Sequence, residues 1–169
     1  MKLTITTLFF ALLALKSYGQ ETITVEYTAD YRALINGQQI DNTTTYDDIV
    51  KLLGEPELYK AYPTGKRKYH YKELGIVLST VEGNVLSIGF NYNWDGDKNF
   101  PETSFEGELK VGDIFINKSS HAIIIENLAE LGINCPIPRM CMNNPKKIRN
   151  PILLGFENDE ITQVSIEFH

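Results

Sequence analysis

Cysteine, tryptophan and histidine are scarce in this 169-residue chain, at two, one and three residues. Two cysteines cannot hold a four-ligand zinc site unless other donors gather, and the neighbourhood of Cys135 and Cys141 offers none. Their spacing, Cys-Pro-Ile-Pro-Arg-Met-Cys, is not the Cys-x-x-Cys of a redox helix either, so it reads as a structural disulfide. The histidines, His70, His121 and His169, are scattered. There is no His-Glu-x-x-His, no glycine-rich phosphate loop and no nucleophile motif. His121 follows Ser119 and Ser120, but adjacency in sequence does not make a catalytic pair. No catalytic residue and no cofactor is therefore expected, and the chain reads as a non-enzyme. Bases are outnumbered by acids, 16 to 22, for a net charge of −6, which disfavours bulk binding to nucleic acid or anionic membranes. Low-complexity stretches are absent too, so nothing in the composition calls for a disordered tail.

What is present begins with an export signature. Lys2, the apolar run 3–15 and the small residues Ser17 and Gly19 have the layout of a secretory signal peptide spanning 1–19. The run is short for a transmembrane helix and is ended by Lys16. No cysteine follows it, so a lipoprotein anchor is not expected. Removing 1–19 takes Lys2 and Lys16 and no acid, which leaves 14 bases against 22 acids, a net charge of −8. The expected protein is exported, periplasmic or secreted, without a membrane anchor.

The chain also nearly repeats itself. Leu53-Gly54 recurs as Leu131-Gly132, and Leu86-Ser87-Ile88-Gly89-Phe90 recurs as Val164-Ser165-Ile166-Glu167-Phe168, both at an offset of 78. Conserved spacing of this kind predicts two copies of one small unit, 20–97 and 98–169, within one compact domain. In the first, Ile23, Val25 and Tyr27 alternate as a strand, and Asn36-Gly37 marks a hairpin turn. Thr45 and Asp48 form a capping box for a short helix carrying Ile49, Val50, Leu52 and Leu53, which Gly54 ends. Strands are expected at 58–62, 67–71, 76–81 and 85–92. In the second, Phe105 to Val111 alternates, and a helix begins at Ser119 or Ser120, carries Ile124, Leu128 and Leu131 and stops at Gly132. That helix is expected to be a turn longer than the first. The predicted fold is α+β: two tandem helix-plus-antiparallel-sheet repeats with shared or abutting sheets, each sheet leaving one face bare.

The run Thr45-Tyr46-Asp47-Asp48-Ile49-Val50-Lys51-Leu52-Leu53-Gly54-Glu55-Pro56, followed by antiparallel strands, resembles the helix-then-strands unit of two bacterial families. They are the outer-membrane small-protein-A lipoproteins and the secreted β-lactamase-inhibitor proteins. The resemblance implies tandem units that line up one sheet and bind a protein target on its concave open face. The chain is also similar to uncharacterised exported proteins of Bacteroidota that carry a domain of unknown function. No contact residue is carried over from these families.

Two surfaces compete as sites. Asn91, Asn93, Asp95 and Asp97, with Gly96 and Glu102, follow EF-hand spacing, oxygens at relative positions 1, 3, 5, 7 and 12. Set against a calcium loop, the same residues read as a polar connection with an Asp95-Gly96 turn. The other candidate is the bare sheet face of Ser87, Asn91, Asn93, Ser165 and Glu167, with Arg67, Tyr69 and Tyr71 nearby; Tyr and Arg are favoured interface anchors. Lys66-Arg67-Lys68 and Lys146-Lys147 with Arg149 read either as partner-recognising edges or as charges that keep exposed strands from pairing. Asn42-Thr43-Thr44 and Asn117-Lys118-Ser119 match a glycosylation pattern that would be idle in a bacterium. The expected function is a non-catalytic binding or inhibitory module for another envelope or extracellular protein. A calcium-stabilised surface protein and a small hydrolase are the alternatives.

Overall fold

The computed structural model describes residues 22–169, and the signal-peptide reading falls outside that range. Short runs rich in Val, Ile, Phe and Tyr, punctuated by Gly, Asn and Asp, give thirteen strands among the described residues. The helical content is correspondingly small. The fold is mostly β, which overturns the expected α+β pair of helix-on-sheet units.

The smaller sheet contains β1 (Thr24–Tyr27), β2 (Ala33–Ile35), β3 (Gln38–Ile40), β8 (Glu108–Val111) and β9 (Ile114–Ile116), in the order β3-β2-β1-β8-β9. Its central pair, β1 and β8, is parallel, with Val25 opposite Leu109. The larger sheet is antiparallel throughout. It runs β10 (Asn134–Ile137), β11 (Met140–Met142), β12 (Ile152–Glu157), β13 (Glu160–Glu167), β7 (Asn84–Asn91), β6 (Ile76–Val81), β5 (Lys66–Tyr71) and β4 (Glu57–Ala61). The two similar pentapeptides lie side by side at its centre, where Ile88 faces Ile166. Both sheets therefore draw strands from both halves of the chain, so neither half is a self-contained helix-covered unit.

One core joins the sheets. It includes Val25, Tyr27, Ile35 and Leu109 from the smaller sheet and Leu78, Ile88, Phe90, Leu154 and Ile166 from the larger. The sheets are also linked by a buried polar latch. Tyr27 Oη donates to the Asn150 carbonyl at 2.7 Å and accepts from Asn143 Nδ2 at 2.7 Å, while Asn143 Oδ1 accepts from Ile152 N–H. Burial pushes the Tyr27 phenol up to about 12, against the smaller opposing effect of Asn143, so the hydroxyl keeps its proton.

The first helix forms as expected: α1 (Tyr46–Leu53) carries the reciprocal Thr45–Asp48 capping box and buries Ile49. The second does not. Instead of a longer helix from Ser119 or Ser120, the chain makes only α2 (Ile124–Asn127) and a 3₁₀ turn at Ala129–Leu131. Three consecutive isoleucines, 123–125, are stiff at χ1 and poor at nucleating a helix. No side chain caps α2, and the Ala122 N–H just before it goes to the Asp159 carbonyl in the β12–β13 turn.

Candidate binding edge

The connection after β7 settles which face of the large sheet is open. Instead of arching away from the sheet, segment 92–106 runs back across its outer face. Asn91 Nδ2 donates to the carbonyls of Glu102 (3.3 Å) and Thr103 (3.0 Å), and Phe105 N–H returns to the Asn91 carbonyl. Phe100 seats on Gly89: a Cβ there would lie 2.8 Å from its ring and 2.9 Å from Ser165 Oγ and Val77 Cγ1. The face read as bare is therefore partly strapped.

That strap disperses the residues expected to form a site. Asn91 is fully buried, and Asn93 spends its amide on the carbonyls of Lys118 (2.8 Å) and Ile161 (2.7 Å). The Asp95 carboxylate accepts from Gln163 Nε2 and from Asp97 N–H, and Asp97 Oδ1 accepts from Asn99. Glu102 contributes its backbone carbonyl to the strap while its residue stays exposed. The EF-hand spacing thus resolves into Asx turns and backbone ties. Among the described residues no group of three or more His, Cys, Asp or Glu is placed to hold a metal ion.

Tyr69 and Tyr71, offered as contact residues, are only 7% and 4% exposed and belong to the core. Ser87 and Ser165 are half-buried, whereas Glu167 is exposed and sits 3.4 Å from His169. His121 faces Asp159 at 3.4 Å on the open surface, and the neighbouring Ser120 Oγ accepts from Asn117 N–H. Cys135 and Cys141 form the expected disulfide, which ties β10 to β11. Lys146, Lys147 and Arg149 fall in the connection between β11 and β12, where Arg149 donates to Asn42 Oδ1.

Arg67 is the member of the predicted set that leads to a coherent surface. It lies on the β4–β5 hairpin, closed by Tyr62 N–H to the Lys66 carbonyl (2.9 Å) and Gly65 N–H to the Tyr62 carbonyl (3.1 Å). β4 is the last strand of the sheet, and all five of its residues are exposed. Gly54 and Pro56 end α1 and release the chain into this strand, and Pro63 stops it. A bulge between Leu58 and Lys60 interrupts the β4–β5 register. Leu58, opposite Tyr69, is 52% exposed toward the helix side, while Tyr59 is 43% exposed and stacks on His70 on the strap side, centroids 4.1 Å apart.

Each side of this edge carries a concavity. One of about 760 Å³ is lined by Tyr46, Leu58, Arg67 and Tyr69 below the start of α1, and another of about 690 Å³ by Tyr59, His70, Trp94 and Lys98 beside the strap. The hairpin itself is basic, while the concavities beside it also hold acids, Asp47 and Glu82 on the helix side and Glu57, Glu73 and Glu102 on the strap side. Residues 57–72 hold five of the chain's bases, Lys60, Lys66, Arg67, Lys68 and Lys72, and one acid, Glu57, which pairs with Lys72 at 2.7 Å. Among the described residues, Lys60, Lys66, Arg67 and Lys68 make no salt bridge within the chain. Lys68 instead donates to Asn99 Oδ1, and burial, with Lys66 and Lys60 adding to it, depresses its ammonium pKa. Burial lowers the His70 pKa, against the opposing hydrogen bond to Asn99 and with Lys68 and Lys72 adding to the lowering. Its Nε2 must donate, because its partner at 3.0 Å is the Asn99 carbonyl. With that nitrogen tied and one ring face under Tyr59, His70 is a strut for the strap.

Sequence reasoning singled out Lys66, Arg67 and Lys68 but passed over Leu58, Tyr59 and Lys60. The signal for them was five extended residues bracketed by Pro56 and Pro63, next in sequence to a basic run. A family model described as a domain of unknown function, DUF7738, matches residues 24–126, which covers β1 through most of α2. No curated protein and no solved structure matches the chain.

Proposed function

We propose that this chain, which belongs to the domain-of-unknown-function family DUF7738, is an exported, non-catalytic module that binds or inhibits another protein through its β4–β5 hairpin. One observation carries the reading: an edge strand exposed along its whole length presents Leu58 and Tyr59 on opposite sides, amid four cations, Lys60, Lys66, Arg67 and Lys68, that pair with no carboxylate among the described residues. Exposed aliphatic and aromatic side chains beside arginine are the composition of an interface centre. The disulfide supports an oxidising compartment, and among the described residues no helix is long and apolar enough to cross a membrane. Of the three histidines, His70 is braced between Asn99 and Tyr59, His121 lies beside Asp159 and His169 beside Glu167.

Site-specific photo-cross-linking in intact source cells tests the proposal. A photoreactive residue at position 58 should trap one dominant partner, and one at position 147, in the β11–β12 connection, should not. Charge reversal at Arg67 should weaken the trap. Equal or absent capture from the two positions would sink the reading.

A further inference from the structure

The surface described above raises a narrower question, namely what kind of chain fits a basic, exposed strand edge. We infer that β4 accepts an acidic, extended segment of the partner as a ninth strand of the large sheet, an inference that rests on the binding role proposed above.

Backbone geometry supplies the first argument. The Tyr62–Lys66 hydrogen bond makes that pair a bonded one, and antiparallel pairs alternate. Ala61, opposite Arg67, is therefore in a non-bonded pair, and its N–H and C=O point away from β5 toward solvent. Among the described residues no strand lies on that side. An unpaired edge of this kind is a template for strand addition, in which main-chain bonds give affinity and alternate side chains give specificity. Leu58 on one face and Tyr59 on the other offer apolar ground to both sets of alternating side chains, and a concavity lies on each side to receive them.

The other edges are closed to such a partner. β10 contains Pro136, which has no N–H to give, and its hairpin is clamped by the Cys135–Cys141 bond. β3 and β9 are three residues each. In β4 the prolines, Pro56 and Pro63, bracket the strand and leave its interior clear.

Charge chooses the occupant. Two copies of this hairpin would bring four unpaired bases, Lys60, Lys66, Arg67 and Lys68, against four, so a second copy of the same edge is disfavoured. An incoming strand that carries Asp or Glu would lie directly against Lys60 of β4, with Lys66, Arg67 and Lys68 of β5 one strand further in and within reach of its carboxylates, on a protein whose net charge is otherwise acidic. The lysines that keep the edge from indiscriminate pairing thus also select for the partner.

Fluorescence anisotropy with short synthetic peptides tests this on the purified protein. The probes are nine-residue peptides alternating Glu with Val, Ile, Phe or Tyr, each made also with alternate backbone nitrogens methylated, and with Lys in place of Glu. At least one Glu peptide should bind, about tenfold or more tighter than its methylated and Lys forms. Hydrogen exchange at Ala61 should slow in the complex. The double substitution Lys66→Glu and Arg67→Glu should abolish binding while the thermal melt stays put. Equal binding of the methylated form, or heparin competing as well as peptide without protecting Ala61, would show charge attraction alone and overturn the inference. Failure of every Glu peptide to exceed its Lys form would overturn it too. If position 58 still traps a cellular partner in any of these cases, the hairpin binds by side chains and the broader reading stands; if it traps none, both fall.

Discussion

Single residues set the limits of this structure most sharply where the strap meets the sheet. Gly89 has space for a hydrogen and nothing more, because Phe100, Ser165 and Val77 crowd its α-carbon. Gly89→Ala should therefore cost about 1–3 kcal/mol, the usual penalty for overpacking, read as a lowered urea midpoint at unchanged slope. Two strands away, beyond Val77, His70 makes the fold acid-sensitive. Its folded pKa lies below its ordinary value of 6.5, so the unfolded chain binds the proton more readily. Above about pH 6.5 the group is neutral in both states and has no effect; as pH falls through that value stability declines, and the decline levels off below the folded pKa. His70→Gln should flatten this part of the stability–pH curve. An unchanged slope in the variant would assign the acid sensitivity to another group.

At the scale of elements, the disulfide is a local clamp. It closes a loop with a sequence separation of six, so its loss should lower stability by about 2 kcal/mol on the chain-entropy model. β11 still pairs with β12 through Cys141 and Leu154, so the Cys135→Ala/Cys141→Ala variant should fray at β10 and stay folded elsewhere. Amide exchange would show faster exchange confined to 134–142; collapse of protection across β12 would contradict it. Element by element, what could be read from sequence was what is decided locally. Asn36-Gly37 does form a turn with both residues at positive φ, and the Thr45–Asp48 box does start α1. Along β7 the expected alternation holds for Ile88 and Phe90 but breaks at Leu86, where a register shift puts Val85 into the core instead, and the strap buries Gly89 and Asn91 on the other face. The second helix failed because matching Leu131-Gly132 to Leu53-Gly54 said nothing about the isoleucines before it. Asn91 and Asn93 were read by spacing as oxygen donors, yet their amide nitrogens are what the fold uses, and only the return path of the strap reveals that.

For the whole molecule, the latch between the sheets is the feature with the widest reach. Tyr27 comes from β1, whereas Asn143 and Asn150 flank the connection between β11 and β12, so one hydroxyl spans more than a hundred residues of sequence. Tyr27→Phe keeps the ring and leaves Asn143 Nδ2 without its partner in a buried place. The expected loss is about 1–3 kcal/mol, measured by chemical unfolding, and Tyr27→Phe combined with Asn143→Leu should cost less than the two changes separately. The family match ends at residue 126, but the sheet does not: without β13, the buried strand β7 would become an edge. The parallel pairing of β1 with β8 then has a consequence in time. Its partners are 84 positions apart, as in Thr24 with Glu108, and β7 meets β13 across a similar distance. The smaller sheet waits for β8 and β9 and the larger for β13, and the entropy of bringing such distant segments together must be met before their contacts reward it. Folding should consequently be slow, on the order of milliseconds to seconds, with the larger sheet joining its β4–β7 and β10–β13 meanders only once β13 has arrived. A protein assembled in that order keeps β7 as an open edge, exposed to wrong partners, until its last strand is in place.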